Sequence, residues 1–217
     1  MKIGKRLFFL ALLGLSIVSC EPEVGFTEPQ PTDVENAEKF KRKFTGKYLC
    51  IEDSSILIVS KREILRNWNF EVTVDSNENI ETAVRNINVD ADEADLVITP
   101  NDDSSSYIVD FTKEVFRLGN NRILKYEDRI CYLNYENSDG TWEVRILKFD
   151  DQGYLTLNDL SLGVSDLEEI RNTTEVSEKT DEEGKVIAYQ IQPSRKEFDE
   201  LLNTDFYESG QKFVKIK

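Results

Sequence analysis

Ile130-Cys131-Tyr132-Leu133-Asn134-Tyr135, then Asn137-Ser138-Asp139-Gly140, then Trp142-Glu143-Val144-Arg145-Ile146-Leu147-Lys148-Phe149: two strand-like runs are joined by a turn-forming tetrapeptide. Both runs are short, rich in β-branched and aromatic residues, and bounded by polar residues, as strands are. The Asp-Gly pair supplies the positive φ angle that a tight hairpin requires. Along the second run, Trp142, Val144, Ile146 and Lys148 share one face, and Glu143, Arg145, Leu147 and Phe149 share the other. The polar-to-apolar change on that second face suits a strand with one side buried over most of its length.

The same pattern extends outward in both directions. Tyr154–Leu157 follows across Asp150-Asp151-Gln152-Gly153, and Arg122–Tyr126 precedes, reached from Val115–Leu118 through Gly119-Asn120-Asn121. Tyr107–Phe111 reads as a further strand, and consecutive hairpins of this kind build an antiparallel meander. Earlier in the chain Tyr48–Ile51, Ile56–Val59 and Asn69–Val74 are strand-like, while Ser76 to Asp95 is undecided. Thr173–Lys179 and Lys185–Ile191 form a hairpin across Asp181-Glu182-Glu183-Gly184, and Phe213–Ile216 is a last strand. Thr32-Asp33-Val34-Glu35 has the capping-box pattern. Val34, Ala37, Phe40 and Phe44 then recur at helical spacing, which predicts an amphipathic helix over 33–44 ended by Gly46. Ser165-Asp166-Leu167-Glu168 opens a short helix, and Ser194-Arg195-Lys196-Glu197 caps another with Phe198, Leu201 and Leu202 on its apolar side. The expected fold is mainly β: an antiparallel meander forming a barrel or a sandwich, with an N-terminal and a C-terminal helix, in one domain over 32–217.

Lys2, Lys5 and Arg6 precede the apolar run Leu7–Leu15, which is too short to span a bilayer and reads as a secretory signal. The run leads into Ile17-Val18-Ser19-Cys20, which resembles the lipobox of bacterial lipoproteins. The resemblance implies removal of residues 1–19, a diacylglycerol on the Cys20 thiol, and a further fatty acid such as palmitate on the new amine. The membrane is then a partner through the N-terminal lipid, since several acyl chains anchor firmly where one is marginal. Residues 20–31 are rich in proline and acid, and predict an extended tether. The layout resembles uncharacterised Bacteroidota envelope lipoproteins. This implies a cell-envelope location on the outer membrane, with the periplasmic or surface face left open.

Phe44-Thr45-Gly46-Lys47-Tyr48 resembles the start of the first strand in lipocalins, with tyrosine where that family has tryptophan. The resemblance implies a lipocalin-like barrel open at one end for a small, often apolar, ligand.

Composition removes many chemistries. The chain has 42 acidic and 27 basic residues, a net charge of -15, and no histidine. Loss of the basic signal makes the mature chain more acidic still, which disfavours nucleic acid as a partner. Without histidine there is no Ser-His-Asp or Cys-His site, and two further cysteines cannot build a four-thiolate centre. No catalytic residue, metal site or cofactor is assigned. Cys50 and Cys131 lie in strand interiors, and two alternatives stand: a disulfide between them, or two separate buried thiols. Asp90-Ala91-Asp92-Glu93-Ala94-Asp95, with Asn101-Asp102-Asp103 nearby, lacks the EF-hand pattern and reads as a solvated acidic loop. Trp68 and Trp142 read as core aromatics rather than a sugar platform. The functional expectation is a non-catalytic, lipid-anchored domain that binds a small apolar ligand or an envelope protein. The alternatives are an accessory subunit of an envelope complex and, third, a carboxylate-dependent hydrolase.

Overall fold

The computed structural model describes residues 23–73, 96–101, 106–204, 206–207 and 210–217. The hairpin at the centre of the sequence forms as expected. β9 (Ile130–Glu136) pairs antiparallel with β10 (Trp142–Phe149) over its whole length, from Trp142↔Glu136 to Lys148↔Ile130. β8 (Arg122–Glu127) precedes β9, and β11 (Leu155–Asp159) follows β10, so four consecutive strands make a meander. β14 (Gln211–Ile216) joins β11 to β3 (Gly46–Cys50). From there β4 (Ile56–Val59), β5 (Glu63–Thr73), β7 (Ser106–Arg117) and the edge strand β6 (Leu96–Pro100) complete an antiparallel path.

One cluster of buried side chains takes Tyr48, Leu57, Ile64, Phe116, Leu133 and Phe213 from strands at both ends of this path. The sheet therefore curves around its core. It does not close, and the lipocalin-like barrel is not formed; the interior is filled with side chains rather than hollow. The expected strands Tyr107–Phe111 and Val115–Leu118 are one strand, β7. The polar Thr112-Lys113-Glu114 between them stays paired with β5, and the register shifts beside Ile64 and Leu65.

Behind β9 and β10 lies a second layer. Val144 and Ile146 of β10 and Tyr132 of β9 point away from the first core into another, built with Phe26, Ile170, Ile191 and Phe198. Its outer wall is β12 (Val176–Thr180) and β13 (Val186–Ile191) with two short helices, α1 (Leu167–Thr173) and α2 (Arg195–Leu201). The Ser194 capping box is present, with the Ser194 amide donating to Glu197 Oε2 at 2.7 Å. α1 begins differently from expectation: Asp166 Oδ2 accepts from the Gly163 amide at 3.0 Å, and a 3-10 turn over Val164–Asp166 leads in.

Two expectations fail at the N-terminal side, for related reasons. The segment read as tether enters the sheet as β1 (Glu23–Phe26), parallel to β13 and antiparallel to β10 at Phe26↔Trp142. Val24 and Phe26 are buried, and an added Cβ on Gly25 would lie 2.6 Å from the Thr141 side chain, so glycine permits the close approach. Further on, Lys125 Nζ donates to the carbonyls of Pro29 at 2.9 Å and Pro31 at 2.7 Å. Asn134 bonds both the amide and the carbonyl of Gln30. Residues 23–31 therefore belong to the folded domain, which was expected to begin only at Thr32. The helix expected over 33–44 is absent. β2 (Asn36–Ala37) pairs with β8, and Phe40 and Phe44 reach the first core from turns. Long-range pairing and burial of two phenylalanines override a sparse helical pattern.

Candidate functional site

The strongest surface feature comes from the run Ile56-Leu57-Ile58-Val59, apolar on both faces of its strand. Leu57 and Val59 point inward. Ile56 and Ile58 point outward, where the register sets Ile56 beside Leu49 and Leu49 beside Val214. Ile58 lies beside Leu65 and, across Lys47, in line with Ile216. Leu49, Ile56, Ile58, Leu65, Val214 and Ile216 belong to none of the buried clusters, and Val214 is 40% and the adjoining Ile51 53% exposed. The outer face of β14–β3–β4–β5 thus carries six aliphatic side chains, with exposed Lys47 set among them and exposed Lys212 at its edge. The outer side of β9 and β10 is equally apolar but is covered by the second layer. The same outward side of β5 and β7 further along is polar, with Asn67, Asn69, Asp110 and Thr112.

An open cleft of about 410 Å³ lies where β5 and β7 approach β10, β11 and β14, lined by Arg66, Trp68, Lys113, Arg145, Asp159 and Gln211 among others. Its polar groups satisfy one another. Arg66 Nε donates to Ser55 Oγ at 2.7 Å, its Nη2 pairs with Asp53 at 2.7 Å, and its Nη1 donates to Gln211 Oε1. Arg145 pairs with Asp159 at 3.0 Å. Trp68 is stacked on Phe111 at 4.6 Å, has the Arg66 guanidinium 4.7 Å over its ring, and donates to Asp53. The ring lines the cleft and belongs to none of the core clusters, so the core role expected for Trp68 is not realised; its stacking on Phe111 and its bond to Asp53 hold it in place. Burial works against the Asp53 charge, but hydrogen bonds from the Ser55 hydroxyl and amide, the Cys50 thiol and Trp68 hold its carboxyl well below the usual carboxylate range. A smaller cleft of about 270 Å³ lies on the other side of Arg145 and Asp159, beside Glu23 and Val24.

Cys50 on β3 and Cys131 on β9 both sit in the first core and are free, so the disulfide alternative is not realised. Burial, then the hydrogen bond to Glu52, pushes the Cys50 thiol up to about 11, and burial raises Cys131 further. Neither is poised as a nucleophile at neutral pH, because the thiolate is the reactive form. Trp142 packs against the second core. Cys20, the acidic run 90–95 and Asp102-Asp103 lie outside the described residues. Asn101 is held in the β6–β7 turn, its amide donating to the Ser106 carbonyl at 2.9 Å. Among the described residues no group of three or more acidic or cysteine side chains could hold a metal ion.

No protein-family model matches the chain, and neither curated proteins nor solved structures give a match. The outer aliphatic face was missed in the sequence reading, although its signal was present. An unbroken Ile-Leu-Ile-Val run implies burial on both sides of a strand, and only one side meets the core.

Proposed function

We propose that this chain is a cell-envelope lipoprotein, anchored through lipid on Cys20, whose β-rich domain acts without catalysis by docking a protein partner. The observation that carries this reading is the aliphatic outer face of β14–β3–β4–β5, against which no cluster packs among the described residues. Apolar surface of this kind, contiguous rather than scattered, marks interaction sites in folded proteins. The filled interior and the self-satisfied cleft favour surface docking over carriage of a small apolar ligand. Of the roles expected from the sequence, an accessory subunit of an envelope complex fits best.

Ile58→Lys combined with Val214→Lys tests it, because both side chains point outward and the fold should lose no more than about 1 kcal/mol. In cells making the full chain, a partner crosslinked to the wild type and recovered after gentle detergent extraction should be lost from this variant. It should be kept by Asn69→Lys on the polar part of the same side. A partner retained by the double variant would sink the docking reading. Cys20→Ser tests the anchor separately: the protein should leave the membrane fraction.

A further inference from the structure

Phe40-Lys41-Arg42-Lys43-Phe44 forms a loop anchored at both ends. Phe40 and Phe44 are 3% and 0% exposed, one edge-on to Phe116 and the other stacked on Phe149. Between them Lys41, Arg42 and Lys43 face solvent on a turn closed by the bond from the Phe44 amide to the Lys41 carbonyl, 2.9 Å. The Phe40 amide donates to the Lys61 carbonyl at 2.8 Å, and the Lys41 amide to the Tyr126 hydroxyl at 2.8 Å. Lys43 Nζ donates to the Asp128 carbonyl. These bonds set the loop against the β4–β5 turn, with exposed Lys61 and Arg62, and the β8–β9 turn, with exposed Arg129.

With exposed Lys39, seven cations gather at this end of a chain whose net charge is -15. Among the described residues none of the seven is in an ion pair; Lys43 and Arg129 donate only to backbone carbonyls, which leave their charge uncompensated. Two nearby carboxylates are already paired: Glu63 with Arg117 at 2.7 Å, and Glu127 with Arg195. Glu38, Asp128, Asp150 and Asp151 remain, four charges against seven.

We infer that this basic end binds an acidic polysaccharide. The cations sit on three separate turns and line neither cleft, so they suit a chain of repeated negative charges rather than one small anion. Among the described residues the large exposed apolar side chains Ile51, Val97, Ile108, Ile187 and Val214 all lie elsewhere, so these residues give this end neither the apolar centre of a folded-protein interface nor the wedge needed to enter a bilayer. The loop's aromatic rings are buried, which leaves no platform for stacking bases. A flexible polyanion needs only a fixed positive field and exposed donors, and both are present.

Fluorescent alginate oligomers, a carboxylate polysaccharide, provide the probe. Binding should appear at low salt and weaken steeply as salt is raised, since condensed counterions are released on contact. Lys41→Glu/Arg42→Glu/Lys43→Glu should weaken it by at least about tenfold, and Lys61→Glu/Arg62→Glu on the neighbouring turn should act in the same direction. Arg171→Glu/Lys185→Glu/Lys196→Glu changes net charge equally at exposed positions elsewhere and should leave binding nearly unchanged. Absence of alginate binding, equal loss in that control, or tighter binding of poly-L-glutamate than of alginate would each overturn the assignment.

Discussion

Replacing Phe26 by alanine should cost about 3–5 kcal/mol of folding stability, the range for a fully buried aromatic whose site cannot collapse. Phe26 is 1% exposed, meets the ring of Phe198 at 5.8 Å, and lies in a cluster that joins β1 to both β10 and β13. Deleting residues 23–31 should cost at least as much. It would uncover Ile191 and Phe198, open an edge of β13, and leave the Lys125 ammonium without its two carbonyl acceptors. For a domain whose total stability is about 5–15 kcal/mol, that is about a fifth or more of the whole. Urea unfolding of residues 23–217, followed by far-ultraviolet circular dichroism, gives the comparison. The Phe26→Ala midpoint should fall with little change in slope, and the deletion should be largely unfolded without denaturant. A deletion variant that unfolds at the wild-type midpoint would mean that the segment is a tether after all, and would refute its place in the sheet.

Two further outcomes are expected. In guanidinium without reductant, residues 23–217 should release two thiols to a colorimetric reagent, and reductant should not change the melting temperature; a single thiol or none would restore the disulfide. Asp53→Asn should lower stability at pH 7 by about 1 kcal/mol, a modest figure because the Arg66–Asp53 pair is partly exposed. Its sign with pH follows from a carboxyl held low in the folded state. The contribution is present above the unfolded carboxylate value, about 4, and is lost as pH falls towards the lower folded value. Wild type and variant should therefore converge in acid, and a constant difference from pH 7 down to strong acid would contradict the assignment.

The strands legible in the sequence were those whose patterns are local. Trp142–Phe149 and Ile56–Val59 have the bounds expected, and the turns at Asn137–Gly140 and Asp150–Gly153 fall where Asp and Gly permit them. What escaped was set by partners far along the chain. Glu23–Phe26 holds only two large apolar residues in a proline-rich, acidic setting, and nothing local shows that Ile191 and Trp142 will flank it. Val34, Ala37, Phe40 and Phe44 fit a helix by spacing, yet Phe40 and Phe44 satisfy the same burial from loops once β2 pairs with β8. β6 was passed over because Leu96–Pro100 is short and ends in proline, as an edge strand can. For the candidate site, the apolar run at 56–59 was visible, but which of its faces stays uncovered depends on where α1, α2 and β13 pack.

That placement also bears on the docking proposed for the outside of this domain. A curved sheet has a concave side to fill and a convex side to cover. Here Phe44, Tyr48, Phe116 and Phe213 pack on the concave side. The convex side is treated unequally: β9 and β10 receive the N-terminal segment, β13 and both helices, while among the described residues none of the buried clusters lies on the outer side of β14, β3 and β4. Six aliphatic residues on such a face raise the risk of self-association, and among the described residues no cluster packs against them, while polar residues serve the same outward side of β5 and β7. A surface with that cost and no internal use is best accounted for by a partner that covers it.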